Sequence, residues 1–287
     1  MTARDAEPFV YGIVTRNAEE LDWPEFDRAF YEVKDAAGQP REPVPNGVNT
    51  LSCFGDTSAA AGDPSLVPVS ESGERATRDR PHFDWSYVCP SRDAYREGLL
   101  ETIADCADRA PDVRLDDVGF PRAEYCHCEV CDADFAASDH DDRADWRASV
   151  ITDFIQDAAD RVPGRTYLAV HPDPYPGHLR ARSGIDLDAV SGHVAEVVVP
   201  LYDTAYGTTY WIEALATGFR DRIDALESDV DLGIELYAAN VEVEALSRAT
   251  DVAGAYADAV YFGYESGTAR AVLRRRRAEE REGESFG

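Results

Sequence analysis

The sequence predicts a single (β/α)8 barrel spanning residues 1–287, with an irregular N-terminal third. From residue 83 onward, short apolar runs alternate six times with longer segments of helical period. That pattern implies a parallel sheet with helical crossovers. Two further strand-like runs precede residue 83, and the length is close to that of an eight-unit barrel. No Gly-rich phosphate loop follows the first strand, where a doubly wound dinucleotide fold would need one.

Phe9–Thr15 reads as the first strand, Pro24–Lys34 as a helix opening with proline, and Val48–Phe54 as the second strand. Residues 55–82 lack a clear period and read as one long irregular crossover. Phe83–Cys89 (FDWSYVC) reads as the third strand. Ser91 then caps a helix that puts Tyr95, Leu99, Ile103, Cys106 and Ala110 on one face. Val113–Val118 is the fourth strand, and Ala144–Val162 is helical with Trp146, Val150, Phe154 and Ala158 in register. Tyr167–His171 is the fifth strand, followed by a Pro/Gly-rich loop and a short helix near Asp186–Val190. Val197–Tyr202, Leu232–Tyr237 and Ala259–Tyr264 complete the strands. The helices between them carry Trp211, Leu215, Phe219, Ile223 and Leu226, then Glu242–Arg248. Residues 266–287 form a C-terminal helix, Gly267–Arg281, and a charged, solvated tail. Residues 83–265 thus hold the regular units and 1–82 the less regular ones.

Composition narrows the function classes. There are 56 acidic and 28 basic side chains, a formal net charge of −28, and Lys34 is the only lysine. With 44% hydrophobic and 10% aromatic residues the chain is not a disordered acidic polymer. A nucleic-acid partner is excluded by charge, since such binding needs a basic surface; an anionic membrane surface is disfavoured for the same reason. There is no apolar run of about 18 residues to span a bilayer, and the start, MTARDAEPFV, has no secretory h-region. The expectation is a cytoplasmic protein of a halophilic, salt-adapted host, where screening reduces self-repulsion.

The most specific local signal is Cys126-His127-Cys128-Glu129-Val130-Cys131, a C-x-C-x2-C cluster in a polar loop. Tetrahedral zinc needs a fourth donor. Cys89, at the end of the preceding expected strand, is the natural one; His127 is the alternative. Four thiolates close the coordination sphere, so this Zn2+ would be structural. The competing reading is reduced thiols, or a disulfide, without metal. Cys53 and Cys106 lie in apolar positions and read as core thiols.

In a parallel barrel the active site lies at the C-terminal strand ends. Among so many acids only strand-end positions carry weight: Asp116-Asp117, Asp203, Glu235 and Glu265. Glu235 stands out because it interrupts an apolar run, LGIELY, where an acid is costly unless paired or functional. Two carboxylates across a barrel mouth suit glycoside cleavage. Trp85, Tyr87, Tyr202, Tyr237 and Tyr264 could stack on sugar faces, with His171, Asp203 and Glu265 as further substrate contacts. Asp203 and Glu265 read equally well as helix N-caps.

An acid at the end of strand four, a C-x-C-x2-C cluster nine residues on and a lone upstream Cys resemble the zinc-containing β-galactosidases of glycoside-hydrolase family forty-two. The LDDVGFP segment is also similar to the L-D-x-x-R-F-P strand of uncharacterised glycosidase-like barrels. The resemblance covers residues 83–135 and is topological beyond them. It implies an acid/base at the Asp116-Asp117 position, where the family has Asn-Glu, and a nucleophile at Glu235. Asp117 is then the expected proton donor, with Asp116 beside it, and Glu235 the nucleophile or base. Two other functions compete. One is a metal-dependent barrel hydrolase using His171, Asp173, His178 and Asp203. The other is a non-catalytic carbohydrate-binding barrel.

Overall fold

The computed structural model describes residues 9–284; the chain start, on which the expectation of no secretory segment rests, lies largely outside them. Eight strands pair in sequence order and close into an all-parallel barrel. They are β1 Val10–Thr15, β2 Arg28–Lys34, β3 Val48–Ser52, β4 Val113–Asp116, β5 Thr166–Ala169, β6 Glu196–Pro200, β7 Asp231–Tyr237 and β8 Ala259–Gly263. Closure runs through β8, where Val10 sits opposite Ala259 and Val14 opposite Gly263. The helices are α1 Thr57–Gly62, α2 Asp93–Arg109, α3 Glu129–Ala137, α4 Arg143–Ala159, α5 His178–Ser183, α6 Leu187–Val190, α7 Tyr210–Asp224, α8 Val243–Gly254 and α9 Ser266–Glu284. None of these is long and apolar enough to cross a membrane.

The predicted barrel is correct, and two elements in its first half need correction. The segment expected as a helix over Pro24–Lys34 is a turn followed by β2, paired to β1 and β3. Its polar residues mislead because they face the lumen: Arg28 bonds Glu196 across the barrel, while Ala29, Tyr31 and Val33 pack outward under the helices. Phe83–Cys89 is not a strand. It is a loop of the β3–α2 crossover with a single bridge, Gly55 to Tyr87. Its apolar residues are satisfied by loop packing, with Phe83 against Tyr87 and Tyr125. Three strands therefore precede residue 82, and β3 is the run read as the second strand.

Strand alternation divides the buried residues into two cores. Outward positions such as Ile13, Leu51, Leu115, Leu168, Val199, Ile234 and Phe262 pack under the helices. Inward positions form a smaller lumen cluster with Val14, Phe30, Val48, Tyr167, Val198 and Tyr261. The lumen also contains charge. At its lower end Arg28 bonds Glu196 at 3.0 Å, and the Tyr261 hydroxyl donates to the same carboxylate at 2.5 Å. Phe30 sits above, edge-on to Tyr167 and Tyr261. The Arg114 guanidinium lies over the other side of Phe30, 4.8 Å from its centroid. One aromatic ring thus partitions two ionic layers.

Tyr261 fits the lower layer because glycines flank it. A Cβ at Gly12 would come within 2.7 Å of the Tyr261 ring and 2.6 Å of the Arg28 carbonyl; one at Gly233 would meet Tyr261 and the Glu196 carboxylate. Gly12→Ala and Gly233→Ala should each destabilise the fold by roughly 1–3 kcal/mol, as overpacking does. Urea unfolding checks this, and unchanged midpoints would mean that the layer relaxes freely.

Candidate active site and metal centre

At the C-terminal mouth of the barrel lies an open cleft of about 1060 Å³. Its floor is built by β4, whose inward positions are Arg114 and Asp116. Arg114 is fully buried and serves two carboxylates: Nε donates to Asp116 Oδ1 at 2.7 Å, and Nη2 meets Glu235 Oε2 at 2.6 Å. Glu235 arrives from β7, beneath the floor and with no exposed surface. Its other oxygen accepts the hydroxyl of Tyr202, which follows β6. Tyr202, Tyr237 and Tyr264 cluster above, with ring centroids 5.6–6.4 Å apart.

One cation between two carboxylates leaves a negative excess in a site poor in water. Asp116 lines the cleft, and its pKa is raised to about 7; burial is the main cause, opposed by Arg114 and reinforced by the charge of Glu235. Asp117 also faces the cleft, and burial raises its pKa too, against the bond it accepts from Ser52 Oγ. Its φ is +51°, a left-handed conformation uncommon outside glycine. The turn is held from β3: Phe54 N–H donates to the Asp117 carbonyl at 3.1 Å, and Cys53 N–H to that of Asp116 at 2.7 Å. Tyr264 leaves β8 with φ +68°, so two strand ends bend sharply at the same mouth. Lys34, the sole lysine, ends β2 and ties this corner together. Its ammonium meets Asp56 at 3.1 Å and donates to the Ser52 carbonyl at 2.7 Å.

Of the residues expected to contact substrate, Trp85, Tyr87, His171, Tyr202, Tyr237, Tyr264 and Glu265 line the cleft, and Asp203 does not. Asp203 accepts from Ala205 N–H in a local turn. Glu265 accepts from the Gly267 and Thr268 amides and so caps α9 while facing the cleft. The quartet His171, Asp173, His178 and Asp203 is not assembled: Asp173 bonds His178 Nδ1 at 2.9 Å on the exposed loop. Sequence reasoning missed Arg114, Lys34 and the role of the Tyr202 hydroxyl. An arginine inside the apolar run VRLD was the available signal for the first.

Cys89, Cys126, Cys128 and Cys131 converge, all buried, with their sulphurs within 4.8 Å of one another. Cys89 reaches the cluster from the crossover loop, where its N–H bonds the Leu66 carbonyl, and not from a strand end. Tetrahedral thiolate coordination at about 2.3 Å spaces sulphurs about 3.8 Å apart; Cys89 lies 3.9 Å from Cys128 and 3.2 Å from Cys131. The amides of Val69 and Cys128 donate to Cys126 Sγ at 3.3 Å, the kind of bond that favours a thiolate. His127 stands outside this set, its amide bonded to Val69. The four cysteines could therefore hold a metal ion. Cys53 and Cys106 are buried apart from it, and burial raises both thiols, as expected of inert core residues.

No family model and no curated protein matches this sequence. Solved structures do match its fold. The glycoside hydrolase domain of PgaB (BpsB) from Bordetella bronchiseptica superposes with a TM-score of 0.68 at 12% identity, covering 92% of this chain and 98% of that one. Alpha-L-fucosidase isoenzyme 2 from Paenibacillus thiaminolyticus gives 0.61 at 11% identity, covering 93% of this chain. Beta-galactosidase from the psychrophilic Marinomonas ef1 gives 0.60 at 11%, covering 88%. This chain spans 48% and 53% of those two longer enzymes. It is thus a (β/α)8 barrel that shares its fold with these glycoside hydrolases.

Proposed function

We propose that the protein is a glycoside hydrolase that cleaves its carbohydrate substrate with two carboxyl groups of the barrel mouth. The observation that carries this reading is the Asp116–Arg114–Glu235 array opening into a tyrosine-lined cleft. A general acid must hold its proton near the working pH, and Asp116, raised to about 7, does so. Asp116 is therefore the proton donor favoured by its environment, with Asp117 beside it as the alternative donor. Glu235 is the partner across the floor, oriented by Arg114 and Tyr202. Tyr202 covers it, so a sugar entering the site must displace that hydroxyl before Glu235 can act as nucleophile or base. The fold it shares with a fucosidase and a beta-galactosidase agrees with this reading. A metal-dependent hydrolase is not favoured, because its four expected ligands do not converge.

The same proposal assigns structural zinc to the four cysteines. A buried set of four thiols is internally frustrated: hydrogen bonding among the sulphurs raises Cys89 and Cys131 while lowering Cys126 and Cys128. A dication satisfies four thiolates at once. Held there, zinc staples the β3–α2 crossover, which carries Trp85 and Tyr87, to the loop after β4. Four protein ligands leave no open position, so the ion takes no part in the chemistry.

Asp116→Asn should lower kcat at least about 100-fold on a cleaved aryl glycoside, the low end for loss of a general acid. Wild-type activity should fall above about pH 7, where Asp116 loses its proton. Stability follows the same group. Folded protein keeps the Asp116 proton up to about pH 7, whereas the unfolded chain releases it near the usual 3.8. Wild-type stability therefore declines between about pH 4 and 7, and Asp116→Asn should melt higher than wild type at pH 8 but not at pH 4. Wild-type activity in Asp116→Asn, Asp117→Asn and Glu235→Gln alike would overturn the two-carboxylate reading. Separately, elemental analysis should find one zinc per chain in the wild type and a deficit in Cys128→Ser. Full occupancy in that variant would contradict four-thiolate coordination.

A further inference from the structure

One wall of the cleft is not used by the two-carboxylate chemistry. Arg182, at the end of α5, lines the cleft half-buried. Among the described residues nothing bonds its guanidinium, although the chain has twice as many acids as bases. The acids whose charges reach it are engaged elsewhere: Glu124 bonds Arg122 at 3.1 Å, and Asp173 bonds His178 at 2.9 Å. Burial and then the charge of Arg122 lower the Arg182 pKa by more than the charges of Glu124 and Asp173 raise it. His171 on the same wall is pushed down to about 4 by burial and then by Arg182, which leaves it a neutral hydrogen-bonding group. Arg78 and His82 also line the cleft.

This wall is built from the interior. Arg147 of α4 is buried, and its guanidinium donates to four backbone carbonyls: Arg122 at 3.0 Å, Ala123 at 3.4 Å, Ala181 at 2.8 Å and Arg182 at 2.7 Å. It clamps α5 to the loop after β4, and its cation rests on Phe120 at 4.8 Å. The acids Glu20, Glu32 and Asp35 of the opposite wall, by contrast, have bonded partners. Thr15 donates to Glu20, Arg16 binds Glu32, and Arg16 and Arg41 approach Asp35 at 3.8 and 3.5 Å. Arg182 is therefore a cleft cation that no carboxylate among the described residues contacts directly.

We propose that Arg182 determines specificity by binding an anionic substituent of the carbohydrate, either a uronate carboxylate or a sulfate ester. This rests on the glycosidase reading and names its substrate class. A guanidinium fork suits both groups, and charge-assisted bonds to it are the strong ones. A chain of this net charge repels anionic glycans in general, so their capture needs such a local cation.

The test is binding of the inactive Asp116→Asn protein to an array that pairs neutral oligosaccharides with uronate-bearing and sulfated ones. Binding confined to one acidic set, weakened roughly 10- to 100-fold by adding Arg182→Gln and largely kept with Arg182→Lys, is the expected result. Which acidic set binds distinguishes carboxylate from sulfate. Neutral glycans bound equally well, or acidic ones unaffected by Arg182→Gln, would overturn the assignment while leaving the glycosidase reading intact. No binding to any glycan would overturn both.

Discussion

A single guanidinium governs the barrel mouth. Arg114 is shut away from water and bonded to two carboxyl groups, so the site carries one negative charge more than it can balance. Buried charge that is only partly paired is expensive, and the excess is relieved by a proton. Asp116, the more accessible of the two acids, has its pKa pushed up to about 7, first by burial and then, against Arg114, by the Glu235 charge. The raised Asp116 pKa and the electrostatic strain of the floor thus have the same source, as is common where titratable groups crowd a cleft. Phe30 supports this arrangement by holding the Arg114 cation on one face while its edges meet the tyrosines of the lower layer.

The rest of the molecule positions that mouth. The lower layer pairs Arg28 with Glu196 directly, so it is balanced and serves as a rigid base. Above the floor, two devices anchor the long loops that the barrel itself does not order. The four cysteines bring the crossover after β3 against the loop after β4. Arg147 joins that second loop to α5 through backbone carbonyls. Together they set Trp85, Tyr87, His171 and Arg182 around the same opening. The many remaining acids coat the surface, whereas the informative cations point inward.

Much of this was legible in the sequence because period and strand-end position are local signals. The units from β4 onward follow from apolar runs of the right length, and Cys126, Cys128 and Cys131 follow from spacing, whereas Cys89 was inferred from a strand that is a loop. Glu235 was visible as an acid that had no business in LGIELY unless paired. The losses have one physical cause. β2 alternates Arg28, Phe30, Glu32 and Lys34 inward with Ala29, Tyr31 and Val33 outward, and a charged lumen makes such a strand look like an amphipathic helix. Phe83–Cys89 erred in the opposite sense, its apolar residues being required by loop packing and by the cysteine cluster instead of a ladder. Partners distant in sequence, such as Arg114 with Glu235 or Arg147 with α5, leave no local trace.

The central claim is that Asp116 holds its proton to near neutrality because it is buried, and because the charge of Glu235 beside it offsets part of the pull of Arg114. A ¹³C NMR titration of the Asp116 carboxyl, in wild type and in Glu235→Gln, tests it most directly. The account predicts a wild-type midpoint of about 7 that moves to lower pH when the Glu235 charge is removed. A wild-type midpoint in the ordinary aspartate range, unmoved by Glu235→Gln, would contradict it.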